Sequence, residues 1–227
     1  MRCSRRGGAL WAYLAWIGLL GYSVYTFAIY AFAVHFGPLF LLYVAVFGLS
    51  IYALVVGLSR LDYERVKESF SARVPRRSAS YLLMAIGGFF YLVWLWAVVP
   101  ALVAGRVPDD LVKAGLLLNP VHVLDMAVFL PAMLLAGALR LRRRAMGYVL
   151  APLVLTAAFT ISLGIITIQP VSAVRGETPA WGVGAAVAAL AVVELVTLIR
   201  FLRAIDADAK VFSVLRRTLG SQAAVGP

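Results

Sequence analysis

Two carboxylates stand inside otherwise apolar stretches of this chain, Asp125 and Glu194. If those stretches lie in lipid, each acid costs about 2.5–3.5 kcal/mol at the bilayer centre on insertion scales. Such a group has to be hydrogen-bonded, protonated or in use as a ligand or proton site. Asp125 has informative neighbours. Asn119 is a natural helix N-cap, and Pro120 suits the first helical position. Asn119, His122, Asp125 and Phe129 then recur at helical spacing, so cap, imidazole and carboxylate share one face. An anion in the first turns also gains from the helix dipole. The chemistry open to that face is ligand binding or proton passage. The structural alternative is that Asp125 hydrogen-bonds neighbouring helices and holds the bundle together. Glu194 follows a run of small residues (Gly182, Gly184, Ala185, Ala186, Ala188, Ala189) that allows close helix contact. It is expected to face the interior, with a tyrosine or threonine as partner.

Tyr22, Tyr25 and Thr26 share a face of the first apolar stretch, with Tyr30 and His35 nearer its end. Gln169 closes the fifth. By topology His35, Tyr30, His122, Asp125 and Gln169 fall on the same half of the molecule. If the helices bring them together, they form a polar pocket open to the outside. Two histidines with an aspartate could hold zinc or iron, and His35 with His122 could ligate a haem. The chain has no HExxH and no cysteine placed as a ligand, so no cofactor or metal is expected. There is no GxSxG elbow and no glycine-rich phosphate loop. A lone cysteine, Cys3, excludes an internal disulfide or a CxxC pair.

The elements that must position these groups follow from composition. The 227 residues are 63% hydrophobic and 14% charged, with a mean hydropathy of +0.93. Soluble domains sit nearer half apolar and a quarter charged. A spanning helix needs about 20 mostly apolar residues. Six such stretches occur, near 10–34, 39–59, 81–103, 120–139, 147–169 and 181–202. Pro108, Pro120, Pro170 and Pro179 mark helix limits. Pro131, mid-span, is expected to kink its helix, and Gly87-Gly88 reads as a packing notch. The five tryptophans read as interfacial aromatics. The first stretch is too long for a signal-peptide core and reads as a retained span. The expected fold is therefore an all-α bundle of six transmembrane helices, residues 1–203, followed by a cytoplasmic amphipathic tail, 204–227.

The charge pattern gives sidedness. Of 21 basic residues, 18 fall in the two termini and the connections 60–77 and 140–144, or flank them; only Arg106, Lys113 and Arg175 lie opposite. Arginine and lysine accumulate on the cytoplasmic side, so both termini are expected there, in a plasma membrane. The net charge of +11 is thus a matter of orientation and anionic lipid rather than nucleic acid. Two stretches, 61–77 (Tyr63, Val66, Phe70, Val74) and 204–219 (Ile205, Phe212, Leu215, Leu219), look amphipathic and are expected in the headgroup layer. Their alternative role is docking a protein partner.

Phe40-Leu41-Leu42-Tyr43-Val44-Ala45, Arg73-Val74-Pro75-Arg76-Arg77, Val123-Leu124-Asp125 with Pro131-Ala132, Arg142-Arg143-Arg144 and Gly147-Tyr148-Val149-Leu150-Ala151 form a set. As a set it resembles a family of uncharacterised polytopic prokaryotic integral membrane proteins, over about 22–168. The resemblance implies a multi-span fold and brings no activity. The leading functional expectation is small-molecule or ion binding or transport through the outward-facing pocket. The alternatives are a non-catalytic subunit or assembly factor of a larger membrane complex, or a homo-oligomer, and a membrane enzyme or haem protein using His35 and His122.

Overall fold

The structure, a computed structural model, describes residues 9–71, 76–206 and 209. Its elements are helical: α1 (Leu10–Ala33), α2 (Phe40–Ser59), α3 (Tyr63–Glu68), α4 (Arg76–Val103), α5 (Asp109–Ala114), α6 (Pro120–Leu124), a π-helical turn (Asp125–Phe129), α7 (Leu130–Leu141), α8 (Ala145–Val174) and α9 (Trp181–Leu202). With α6, the π turn and α7 taken as one span, Pro120–Leu141, six helices among the described residues are long and apolar enough to cross a membrane. Helix limits fall close to those read from the sequence. Two differ most. Helix α4 starts earlier, at Arg76, and α8 runs on to Val174 with Pro170 inside it. A proline removes one backbone bond, and so near a helix end that loss does not stop the helix.

Helix α8 is the centre of the bundle. It packs against α1, α7 and α9, and α3 lies across one end of it. Helix α4 packs chiefly on α7, and α2 lies outside, against α1. Outward faces are apolar, with Leu41, Leu49 and Tyr52 of α2, Leu92 and Trp96 of α4, and Val192 of α9 all exposed. Helices with apolar outer faces suit hydrocarbon as solvent. Within the expected notch, only Gly87 meets a neighbour: a Cβ there would lie 3.2 Å from Leu134 Cγ, whereas Gly88 faces open space.

The arginine-rich end is sealed by protein. Leu61 and Val66 are fully buried, and the Phe70 ring packs edge-on against Tyr148 (5.3 Å) and Phe201 (5.1 Å). The chain leaving α9 closes over this cluster: Ser71 N–H donates to Ala204 O and Asp206 N–H to Ser69 O, both at 2.9 Å. Phe70 and Ile205 pair in an isolated antiparallel bridge. The expected headgroup-lying face of 61–77 is thereby corrected over the described residues. Tyr63, Val66 and Phe70 pack into the chain's own core, where their apolar surface is already covered. Val74, Phe212, Leu215 and Leu219 lie outside the described residues. Arg140, read from sequence as a loop cation, is wholly buried. Its guanidinium lies 3.9 Å over the Tyr148 ring and 5.2 Å from that of Phe201, a cation–π arrangement.

Candidate functional site

Asp125 opens the π turn. The N–H of Leu130 bonds to the Asp125 carbonyl, five residues back. The widened turn sits directly before Pro131, which has no N–H and crowds the carbonyl four residues earlier. Single π turns are rare and recur at functional positions. The distortion expected at Pro131 thus takes the form of a wider turn ahead of it, bearing the acid.

Three spans meet at the Asp125 carboxylate. The Tyr25 hydroxyl on α1 donates to Oδ1 at 2.9 Å, and the Trp94 indole N–H on α4 donates to Oδ2 at 2.8 Å. Trp94 is therefore no interfacial anchor, unlike Trp11, Trp16, Trp96 and Trp181, which are exposed. The other face of this assembly is His122, whose ring centroid lies 4.4 Å from that of Trp94. Asn119 caps α6 as expected: Oδ1 accepts from the N–H groups of Val121 (3.0 Å) and His122 (3.3 Å).

Glu194 is 1% exposed. Its Oε2 accepts a hydrogen bond of 2.9 Å from Ser162 Oγ on α8. The partner is thus a serine, not the expected tyrosine or threonine. Thr156 and Thr160 bond back to carbonyls of their own helix instead.

The two acids, on different helices, line one cavity of about 220 Å³. Tyr25, Trp94 and Ser162 also line it, and most of the remaining wall is apolar, including Phe90, Phe129, Val187 and Leu190. A second cavity of about 380 Å³ lies under the α5 connection, with Arg106, Asn119 and His122 as its polar lining. Trp94 lines the first and His122 the second, so this tilted ring pair stands between them.

The expected outer pocket is not assembled as a unit. Gln169 is buried but fully engaged: Nε2 donates to Ile165 O at 3.2 Å, and Oε1 accepts from Ala180 N–H at 2.8 Å. The amide oxygen fastens the chain entering α9, and the NH₂ bonds back to its own helix. Tyr30 is exposed and packs on Phe27 and Tyr43. His35 is exposed beside Gly115. None of the three lines either cavity. Among the described residues no three of His, Cys, Asp and Glu cluster at metal-binding distance.

Sequence reasoning missed Trp94 and Ser162. For Trp94 a signal existed. Trp94 and Trp96 are about 200° apart around a helix, so they cannot both face lipid in the same direction. No comparable signal marks Ser162, 32 residues from the acid it serves. Comparison with protein-family models, curated proteins and solved structures finds no match to this chain.

Proposed function

We propose that this chain is a multi-pass protein of a prokaryotic cell membrane, with both termini cytoplasmic, that binds and carries a small molecule or ion. The bound species sits in the cavity between Asp125 and Glu194. The observation that carries this reading is the placement of both intramembrane acids on one cavity. Acids that only tied helices together would not need a shared void, whereas a concave, mostly apolar chamber with few convergent polar groups is the usual form of a small-molecule site. The second cavity serves as a vestibule, and the Trp94–His122 ring pair closes it off from the first.

The two acids play different parts. Asp125 has a protein donor on each oxygen and holds the chamber's shape. Glu194 has one oxygen engaged and is the ligand-facing group. The sidedness rests on the arginine and lysine excess at one end of the bundle.

The test is thermal unfolding of purified protein against a panel of alkali cations, amines and carboxylates. A ligand that binds the folded state alone raises its stability as concentration exceeds Kd. At least one class should stabilise the unsubstituted protein and leave Glu194→Gln unmoved. If the two proteins respond alike to the whole panel, the cavity is not a binding site.

A further inference from the structure

A third cavity, of about 350 Å³ and open to the surface, lies in the seam between α4 and α9. Ile86 and Phe90 of α4 and Val187 and Leu190 of α9 line both this cavity and the inner chamber. Those four side chains are the wall between chamber and surface. The seam is thinly packed, because α4 packs mainly on α7 and α9 mainly on α8. Phe89 and Ala186, at its mouth, are exposed. Phe89 lies in the middle of its span and Ala186 five residues inside the start of its own, both within segments apolar enough to lie in hydrocarbon. An apolar wall at that depth obstructs a hydrated ion but not a solute already dissolved in lipid.

Inside the chamber the polar demand is narrow. Glu194 Oε2 is bonded to Ser162, and among the described residues Oε1 has no hydrogen-bond partner. A carboxylate oxygen that has no protein donor, on a residue lining a cavity, is a place for a ligand group. The occupant must bring a donor or a positive charge to Oε1 and an apolar body to the rest. The rings of Tyr25, Phe90, Trp94 and Phe129 on the chamber wall also favour a cation.

We propose that the inner chamber takes a small lipophilic amine, which enters sideways from the bilayer through the α4–α9 seam and sets its nitrogen against Glu194. This rests on the binding function proposed above and gives it a ligand class and a route.

The experiment uses the full chain in lipid nanodiscs, with Trp11, Trp16, Trp96 and Trp181 replaced by phenylalanine so that Trp94 alone reports. Three probes of similar size are titrated: 4-phenylbutylamine, butylbenzene and 5-phenylpentanoate. The amine should shift Trp94 emission with an affinity about tenfold or more above the other two. Glu194→Gln should remove that preference, and Ala186→Leu, which narrows the seam, should slow association. Equal binding of amine and hydrocarbon to the protein with Glu194 intact would overturn the ligand class and leave the binding site standing. Failure of all three to perturb Trp94 would take the binding function down with it. Unchanged association in Ala186→Leu would overturn the lateral route. The three-probe comparison needs no substitution at Glu194, so it decides the class even if Glu194→Gln fails to fold.

Discussion

The indole N–H of Trp94 lies 2.8 Å from Asp125 Oδ2, and the same ring packs, tilted by 42°, on His122, three residues before that acid. One side chain therefore both fixes the carboxylate and forms the partition toward the vestibule. Trp94→Phe separates these roles, since it keeps an aromatic ring and removes the donor. It should lower stability by about 1–3 kcal/mol, the cost of leaving a buried acceptor unmet. Tyr25→Phe should act similarly from the other oxygen. Because both donors serve one group, the double substitution should depart from additivity by at least about 0.5 kcal/mol. Equilibrium unfolding in detergent micelles measures all three.

The amide variants of the two acids should behave differently. Asparagine at 125 keeps one acceptor and turns an NH₂ toward the second of two donors, so Asp125→Asn should cost about 1–3 kcal/mol. Glutamine at 194 still accepts from Ser162 Oγ through its carbonyl, so Glu194→Gln should stay within about 0.5 kcal/mol of the unsubstituted protein. Thermal unfolding checks the order. A reversal would exchange the two assignments, making Glu194 the tie and Asp125 the ligand group.

Much of this was legible in one dimension. A run of about 20 apolar residues declares a span whatever its neighbours do, and the ends of α1, α2 and α9 follow closely from it. The Asn119 cap and the shared face of His122 and Asp125 are local, so spacing alone carries them. What spacing cannot carry is the rotation of one helix against another. Tyr25, Trp94 and Asp125 meet across separations of 100 and 31 residues, and Ser162 was invisible among apolar neighbours. The pairing of Gln169 is hidden for the same reason: its partner, the Ala180 N–H, belongs to the far side of a connection. The face of 61–77 reads as apolar, and sequence does not say whether lipid or protein covers it.

Close packing at the arginine-rich end gives a sharp contrast between two glycines of α8. A Cβ on Gly147 would lie 2.6 Å from Arg140 N and 2.8 Å from Leu139 C, both backbone atoms that no rotamer change can move. Gly147→Ala should therefore destabilise by about 1–3 kcal/mol, as overpacking does. Gly164 has nothing within 4 Å, so Gly164→Ala should be neutral or slightly stabilising through helix propensity. The unfolding temperatures of the two variants, measured side by side, test the packing directly.

The partition between vestibule and chamber should open when its movable half is removed. Aromatic pairs contribute about 0.5–1.5 kcal/mol beyond burial, so His122→Ala should raise the open population about two- to tenfold. Val121 lines the chamber and gives a reporter. Val121→Cys in a Cys3→Ser background should react slowly with a water-soluble thiol reagent, and two- to tenfold faster once His122→Ala is added. Equal rates would mean that the ring pair does not control access from this side.

Sidedness is decided by two labelling sites, because successive spans alternate direction. Glu68 ends α3 at the arginine-rich end, and Glu177 lies in the connection between α8 and α9 at the other. If arginine-bearing connections stay on the cytoplasmic side, a membrane-impermeant maleimide added to intact cells should label Glu177→Cys and spare Glu68→Cys, both in a Cys3→Ser background. Permeabilised cells should then label both, which controls for burial of the thiol. The vestibule lies at the Glu177 end, since Arg106 and the α5 connection form it. The same result would therefore place its mouth outside the cell. Labelling of Glu68→Cys alone would turn the bundle over, make the vestibule face the cytoplasm, and remove the charge argument on which the orientation stands.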